Sequence, residues 1–330
     1  MYRKIMDFLE AWKKNEHRKP LILQGARQVG KTYSILEFGR THYENVAYFN
    51  FETNPKLNET FEENISPDYL IPILSHIAGQ TIVTEKTLIV FDEVQLCERA
   101  LTSLKYFCEN APDYHIIVAG SLLGVAVNRA KFSFPVGKVD MKTLYPMDME
   151  EFLLALGEDD LVEQIKKCFQ TDTPLPSALH DAAMQLYRQY LVVGGMPECV
   201  MQFAETKDYI LVRHTQDTIL ASYLNDMSKY NNLNEIKKTR LAYDNITVQL
   251  SKKNTRFQYK LIKKGGRASE FENAIEWLCL SGIVSQVYKV EQIKKPLENY
   301  RDIDAFKIYV SDLGLLCAKK DLAANDILYM

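Results

Sequence analysis

Residues Gly25-Ala26-Arg27-Gln28-Val29-Gly30-Lys31-Thr32 follow the spacing G-x-x-x-x-G-K-[ST]. Glycines at those places let the backbone bend until successive N–H groups converge, a geometry that suits phosphate oxygens. Lys31 can reach the β- and γ-phosphates of a nucleotide, and the Thr32 hydroxyl can ligate Mg²⁺. Such a loop needs a strand before it and a helix after it. Leu21-Ile22-Leu23 is a suitable apolar run, and Tyr33 to Phe38 is helix-capable. The helix start adds the positive end of its dipole. Nucleotide binding is therefore expected at Gly25 through Thr32 together with Tyr33.

A second group lies about sixty residues on. Thr87 to Phe91 is an apolar run ending in Asp92-Glu93, as in a strand buried on both faces of a parallel sheet. Acids at its carboxyl end would emerge where ligands sit in open α/β sheets. Asp92 is expected to hold Mg²⁺, and Glu93 to poise an attacking water as general base. A third run, His115 to Gly120, ends in Ser121. Ser121 suits a sensor of the γ-phosphate or the lytic water, or else an ordinary cap for the next helix. The N-K-x-D box that selects guanine is absent, so ATP is expected rather than GTP. Strand-borne Asp-Glu together with a polar end to the third strand points to the catalytic-glutamate branch of P-loop ATPases. In that branch the sensor strand lies between the phosphate-loop strand and the acidic strand.

These residues need a scaffold, and 330 residues suffice for two or three domains. The six cysteines form no C-x-x-C pair, which suits reduced thiols in the cytoplasm. Met1 to Glu10 has no continuous apolar core, and the longest mostly apolar run, Ile116 to Val127, is too short to span a bilayer. No membrane association is expected. Charge is uneven: residues 251–330 carry 14 basic and 10 acidic side chains against 26 and 33 in the rest. The basic excess gathers at Lys252, Lys253, Arg256, Lys260, Lys263, Lys264 and Arg267.

Alternating patterns predict a doubly wound α/β core. A helix is expected within Met1–Lys14, a second strand over Val46–Phe51, helices over 67–78 and Cys97–Asn110, and a fifth strand within Val139–Leu144. Helices follow at Glu150–Leu156, Ser177–Val193 and Glu205–Lys229, with Gly194-Gly195-Met196-Pro197 interrupting the series. The expected organisation is a P-loop core (1–157), a helical connector (158–233), a winged helix-turn-helix (234–318) and a C-terminal remnant (319–330). The last helix of the winged part is predicted to open at Ser269, with Glu272 completing a capping box. Strands at Ile283–Val290 and Phe306–Val310 would form the wing. That helix carries Glu270, Glu272 and Glu276 against Arg267 alone, a poor surface for a phosphate-lined groove. DNA contact, if made, would use the lysines of 252–267 and the wing residues Lys294 and Lys295. A solvated or interdomain surface is the plainer alternative.

Several segments carry a family resemblance: the phosphate loop, Phe91 to Gln95, Ala119-Gly120-Ser121, and Tyr145-Pro146-Met147 leading to Glu151-Phe152-Leu153. To these add Gly194 to Glu198, Phe257-Gln258-Tyr259, Arg267-Ala268 and Tyr309 to Leu316. Together they resemble prokaryotic AAA-type ATPases in which a P-loop domain precedes a C-terminal domain of uncharacterised function. The resemblance implies an ATPase core related to the AAA+ and STAND NTPases, followed by a winged helix. It implies a nucleotide contact by Pro197, from a Gly-x-Pro motif, and an arginine finger acting in trans, for which Arg129 is the candidate. A homo-oligomer or protein partner follows from that. Members usually continue into a restriction-endonuclease-like domain after Asp-x-Gly-Leu-Leu. This sequence stops at Met330, so no nuclease site is expected, and Glu205-x-Lys207 is read as surface charge at a helix start. The expected activity is Mg²⁺-dependent ATP hydrolysis coupled to movement of the winged helix. The alternative is a nucleotide-gated signalling or DNA-binding switch with negligible turnover.

Overall fold

The computed structural model describes residues 1–120, 134–229, 233–253 and 256–329. The chain divides into two compact units, Arg3–Tyr145 and Pro146–Met330, the latter with Met1–Tyr2.

In the first unit, a helix α1 (Ile5–Lys14) leads into β1 (Leu21–Gln24), the phosphate loop and α2 (Lys31–His42). Then come β2 (Asn45–Asn50), α3 (Leu57–Glu63), α4 (Pro67–Ala78), β3 (Thr87–Asp92), α5 (Glu98–Asn110), β4 (His115–Ala119) and β5 (Asp140–Thr143). The five strands form one sheet in the order β2-β3-β4-β1-β5, every pairing parallel. β4, the predicted sensor strand, thus separates β1 from β3, as the catalytic-glutamate branch requires. Every residue of β3 and β4 is buried, which explains their nearly unbroken apolar runs. β5 is the edge strand beside β1, half-exposed and polar. One side of the sheet buries an aromatic group: Phe91 lies 5.9 Å from Phe49, 5.9 Å from Phe51 and 5.5 Å from Phe61, ring centroid to centroid. Each such pair contributes about 0.5–1.5 kcal/mol beyond its buried area. This packing fixes the strand that ends in Asp92.

The second unit is helical with one antiparallel hairpin. Its helices are α6 (Met149–Ala155), α7 (Asp159–Gln170), α8 (Ser177–Val193), α9 (Pro197–Thr206), α10 (Tyr209–Lys229), α11 (Leu233–Leu250) and α12 (Ala268–Leu280). The hairpin pairs β6 (Val284–Val290) with β7 (Arg301–Val310). Two short helices, α13 (Leu313–Lys319) and α14 (Ala324–Leu328), complete it. Helices followed by a two-stranded ribbon is the order read from the sequence.

Three local expectations need correction. The helix predicted over Glu205–Lys229 is broken: Lys207 adopts a left-handed conformation (φ 54°), and the Asp208 carboxylate accepts the Ile210 N–H at 2.7 Å to start a new helix at Tyr209. Glu205-x-Lys207 therefore ends a helix instead of opening one. The capping box at Ser269 is absent. α12 starts at Ala268 with Arg267 as its N-cap and no side-chain cap. The chain is still extended at Arg267 (φ −116°, ψ 159°) and enters the helix at Ala268, one residue before Ser269. Glu270 faces Lys263 at 3.4 Å. A capping box does form elsewhere, between Asp148 and Glu151 at the start of α6.

Three separated motifs of this unit meet around one carboxylate. Asp312 is 4% exposed. Its Oδ2 accepts the Gly195 N–H at 2.6 Å and its Oδ1 accepts the Leu315 N–H at 2.8 Å. Gly195 in turn accepts the Met147 N–H through its carbonyl at 2.6 Å. No side chain fits at Gly194 or Gly314: a Cβ would lie 2.3 Å from Asp312 Oδ1 at the first and 2.3 Å from the Val193 carbonyl at the second. Burial pushes the Asp312 carboxyl up to about 6, against the pull of the N–H donors. The folded state therefore binds a proton more readily than the unfolded chain, and this group's contribution weakens as pH rises through about 6. Asp312→Ala strands two buried N–H groups at about 1–3 kcal/mol each, so chemical denaturation should register a loss of about 2–5 kcal/mol.

Candidate nucleotide site

The phosphate loop begins at the carboxyl end of β1. Gly25 takes φ +146°, Gln28 φ 64° and Gly30 φ 88°. At Gly25 a Cβ would lie 2.1 Å from the Leu144 carbonyl oxygen, so only glycine lets the loop pass the end of the edge strand. Gly30 occupies the N-cap of α2 and offers no side chain to its first N–H groups. Those donors are left for an anion, which the dipole of a twelve-residue helix also favours. Arg3, 5% exposed, clamps the loop from outside. It donates to the Val29 carbonyl at 3.0 Å and to the Tyr145 carbonyl at 2.8 Å.

Lys31 is 7% exposed. Its Nζ donates to the carbonyls of Gly25 at 2.9 Å and Ala26 at 2.8 Å. Burial pushes its ammonium down to about 8, with Glu93 and Asp92 opposing the shift and Arg27 adding to it. A polyphosphate would favour the charged form that burial disfavours.

Asp92 closes the site from β3. Its Oδ2 accepts from Thr32 Oγ1 at 2.8 Å and from the Tyr48 hydroxyl at 2.7 Å, and its Oδ1 accepts the Glu93 N–H at 3.0 Å. Tyr48 accepts from Asn50 Nδ2 at 3.2 Å. Burial, with Asp92 beside it, pushes the Tyr48 phenol up to about 12, so it remains a donor. Among the described residues no group of three or more His, Cys, Asp or Glu could hold a metal. A hydroxyl with one carboxylate is the donor set of a Mg²⁺ bound jointly with substrate phosphates. The residues present therefore fit Mg²⁺-nucleotide. Glu93 follows in the left-handed region (φ 52°), which turns its side chain out of the strand direction, and Gln95 Nε2 donates to its Oε2.

Of the residues singled out from sequence, Gly25 through Tyr33, Asp92 and Glu93 lie at the carboxyl ends of β1 and β3 or on the loop and helix that follow β1. Ser121 and Arg129 lie outside the described residues. Pro197 is the first residue of α9, in the other unit. Sequence reasoning missed Tyr48, Gln95 and Arg3. The alternation in Asn45–Asn50, with Ala47 and Phe49 buried, puts Tyr48 and Asn50 on the opposite face. Only the pairing of Asn50 with Asp92 reveals what they meet there.

A family model described as an AAA domain matches residues 17–153, and one described as a domain of unknown function matches residues 184–326. No curated protein matches the chain. A solved Walker-type ATPase of Pyrococcus abyssi superposes with TM-score 0.58 at 13% identity, over 97% of this chain and 95% of the other. The ORC2 protein of Aeropyrum pernix (ADPNP–ADP complexes) gives 0.49 at 11% identity, over 99% and 94%. The Holliday junction branch migration motor RuvB of Thermotoga maritima gives 0.36 at 15%, over 86% and 87%. The likeness to the Pyrococcus protein is one of fold. The chain carries a P-loop domain of the AAA type, joined to a C-terminal domain of a family without assigned function.

Two outcomes follow from the geometry. Lys31 must be protonated to bind a polyphosphate, so the dissociation constant should rise up to about tenfold per pH unit above about 8. Calorimetry in buffers of differing ionisation enthalpy should then detect proton uptake on binding. Tyr48→Phe removes one hydrogen bond from Asp92. Nucleotide affinity should fall about fivefold with Mg²⁺ present and stay unchanged in EDTA.

Proposed function

We propose that the protein binds Mg²⁺-ATP at the phosphate loop and hydrolyses it. The observation that supports this reading is the 2.8 Å bond between Thr32 and Asp92. It joins the loop to the acidic strand, so the amide cradle and the metal-binding carboxylate share one pocket. In this reading the N–H groups of the loop and Lys31 bind the β- and γ-phosphates, and Thr32 and Asp92 would hold Mg²⁺, which offsets phosphate charge when bound. Glu93 orients the attacking water and takes its proton. Arg3 and Tyr48 keep the loop and Asp92 in position. Absence of a guanine-selecting box favours ATP.

Ser121 as sensor, Arg129 as finger in a neighbouring copy and Pro197 as nucleotide contact complete the proposal. The finger would require an oligomer. In this reading the C-terminal unit acts as a winged-helix module and is the part that nucleotide turnover moves. Free cysteines at all six positions suit a reducing cytoplasm. Among the described residues no helix is long and apolar enough to cross a membrane.

One observation favours a second reading, a slow nucleotide-gated switch. Gln95 Nε2 already donates to the Glu93 carboxylate, and a hydrogen bond to the charged form lowers the basicity of the group that would take the proton from water. DNA contact is a further reading, resting on the exposed lysines of 252–267 with Lys294 and Lys295. Its signature is affinity that falls steeply with salt.

Lys31→Ala should abolish ATP binding in an equilibrium assay. Glu93→Gln should retain ATP and lower single-turnover hydrolysis about 10²–10⁴-fold. Equal turnover in wild type and Glu93→Gln removes the assigned base. Persistence of bound ATP for hours in the wild type selects the switch.

A further inference from the structure

A groove of about 630 Å³ separates α12 from the β6–β7 hairpin. Glu272 and Glu276, one helical turn apart on α12, line one wall, and Asp304 of β7 lines the other. None of the three carboxylates has an ion pair among the described residues. The floor is aromatic. Tyr259 meets Phe306 edge-on at 6.2 Å, and Tyr288 lies 5.8 Å from Phe306. Burial first, and then the negative charges of Glu272 and Asp304, push the Tyr259 phenol up to about 12. Ile303, 64% exposed, stands at the rim.

The groove already holds one cation. The Arg301 guanidinium carbon sits 4.1 Å from the centre of the Tyr288 ring, so the aromatic wall accepts a planar cation by the ordinary cation–π geometry. Three unpaired carboxylates remain against that single positive charge. A phosphate backbone brought to this face would be repelled by Glu272 and Glu276, whereas an Arg or Lys side chain would find both an aromatic face and a carboxylate. Apolar residues next to it would cover Ile303.

We propose that this groove docks a basic, aliphatic-containing peptide segment of a partner protein, with an Arg or Lys side chain entering between the aromatic floor and the carboxylates of α12. The C-terminal unit is then a protein-docking module on this face, whatever its basic segment contacts elsewhere. Docking at this groove requires no ATP turnover.

The test uses the full chain and a fluorescein-labelled peptide of alternating Arg and Leu, with a Glu/Leu peptide as control. Anisotropy should report binding of the Arg/Leu peptide alone, weakening as salt rises. The double variant Glu272→Gln/Glu276→Gln should bind about tenfold more weakly with unchanged ATP affinity, since both positions are exposed and far in sequence from the phosphate loop. Glu276→Lys should gain affinity for the Glu/Leu peptide, an outcome that an unfolded variant could not produce. Equal Arg/Leu binding by wild type and the double variant overturns the proposal. So does competition for the groove by a DNA duplex, or protection of a Glu276→Cys thiol from labelling in the peptide-free protein, since another part of the chain would then fill the groove.

Discussion

Burying an ammonium group at the end of a parallel sheet is the constraint around which the first unit is organised. Lys31 has little access to water, and two loop carbonyls with the nearby acids Asp92 and Glu93 are what keep it charged. The carbonyls can reach it only because Gly25 and Gly30 let the loop fold over the helix start. The acids are near only because β3 is held in register by an aromatic cluster around Phe91. Packing on one side of the sheet thus sets the electrostatics at its end. A bound polyphosphate would relieve a cost the free protein carries, which is how a buried charge becomes binding affinity.

The second unit uses a buried charge in another way. Asp312 contributes no opposite charge to a partner. It satisfies backbone N–H groups of two chain segments more than a hundred residues apart. Because the donors are main-chain groups, the segments must approach until no Cβ fits, and Gly194, Gly195 and Gly314 are the consequence. The Gly-Gly-Met-Pro turn and the Ser-Asp-Leu-Gly segment, which read in sequence as unrelated motifs, are two halves of one joint. The turn does stop a helix, as backbone sterics require, and its second glycine also serves tertiary packing.

Charge is divided within that unit on a finer scale than composition suggests. The basic side chains of Lys252, Lys253, Arg256, Lys260, Lys263, Lys264 and Arg267 are exposed, while the groove beside α12 is acidic. A count over residues 251–330 averages the two and hides both. The negative face of α12 was visible in the sequence as Glu272 and Glu276 at helical spacing. Its opposition to Asp304 and to the tyrosines depends on how the hairpin folds back across the helix.

The sequence by itself determined the phosphate loop, the acidic strand end, the order of strands and helices in the first unit, and most helix spans. Those features are local: a period of two or 3.6, a glycine that must turn, a proline that must start a helix. Helix starts were less legible. At Ser269 the local pattern fitted a cap, but the helix had already begun one residue earlier, at Ala268. Tertiary structure alone decided that Tyr48 and Thr32 share the Asp92 carboxylate, that Arg3 reaches the loop, and that Asp312 closes on Gly195. Each of these contacts joins segments far apart in sequence. Such adjacency follows from strand order and register, which many residues fix together and no short pattern encodes.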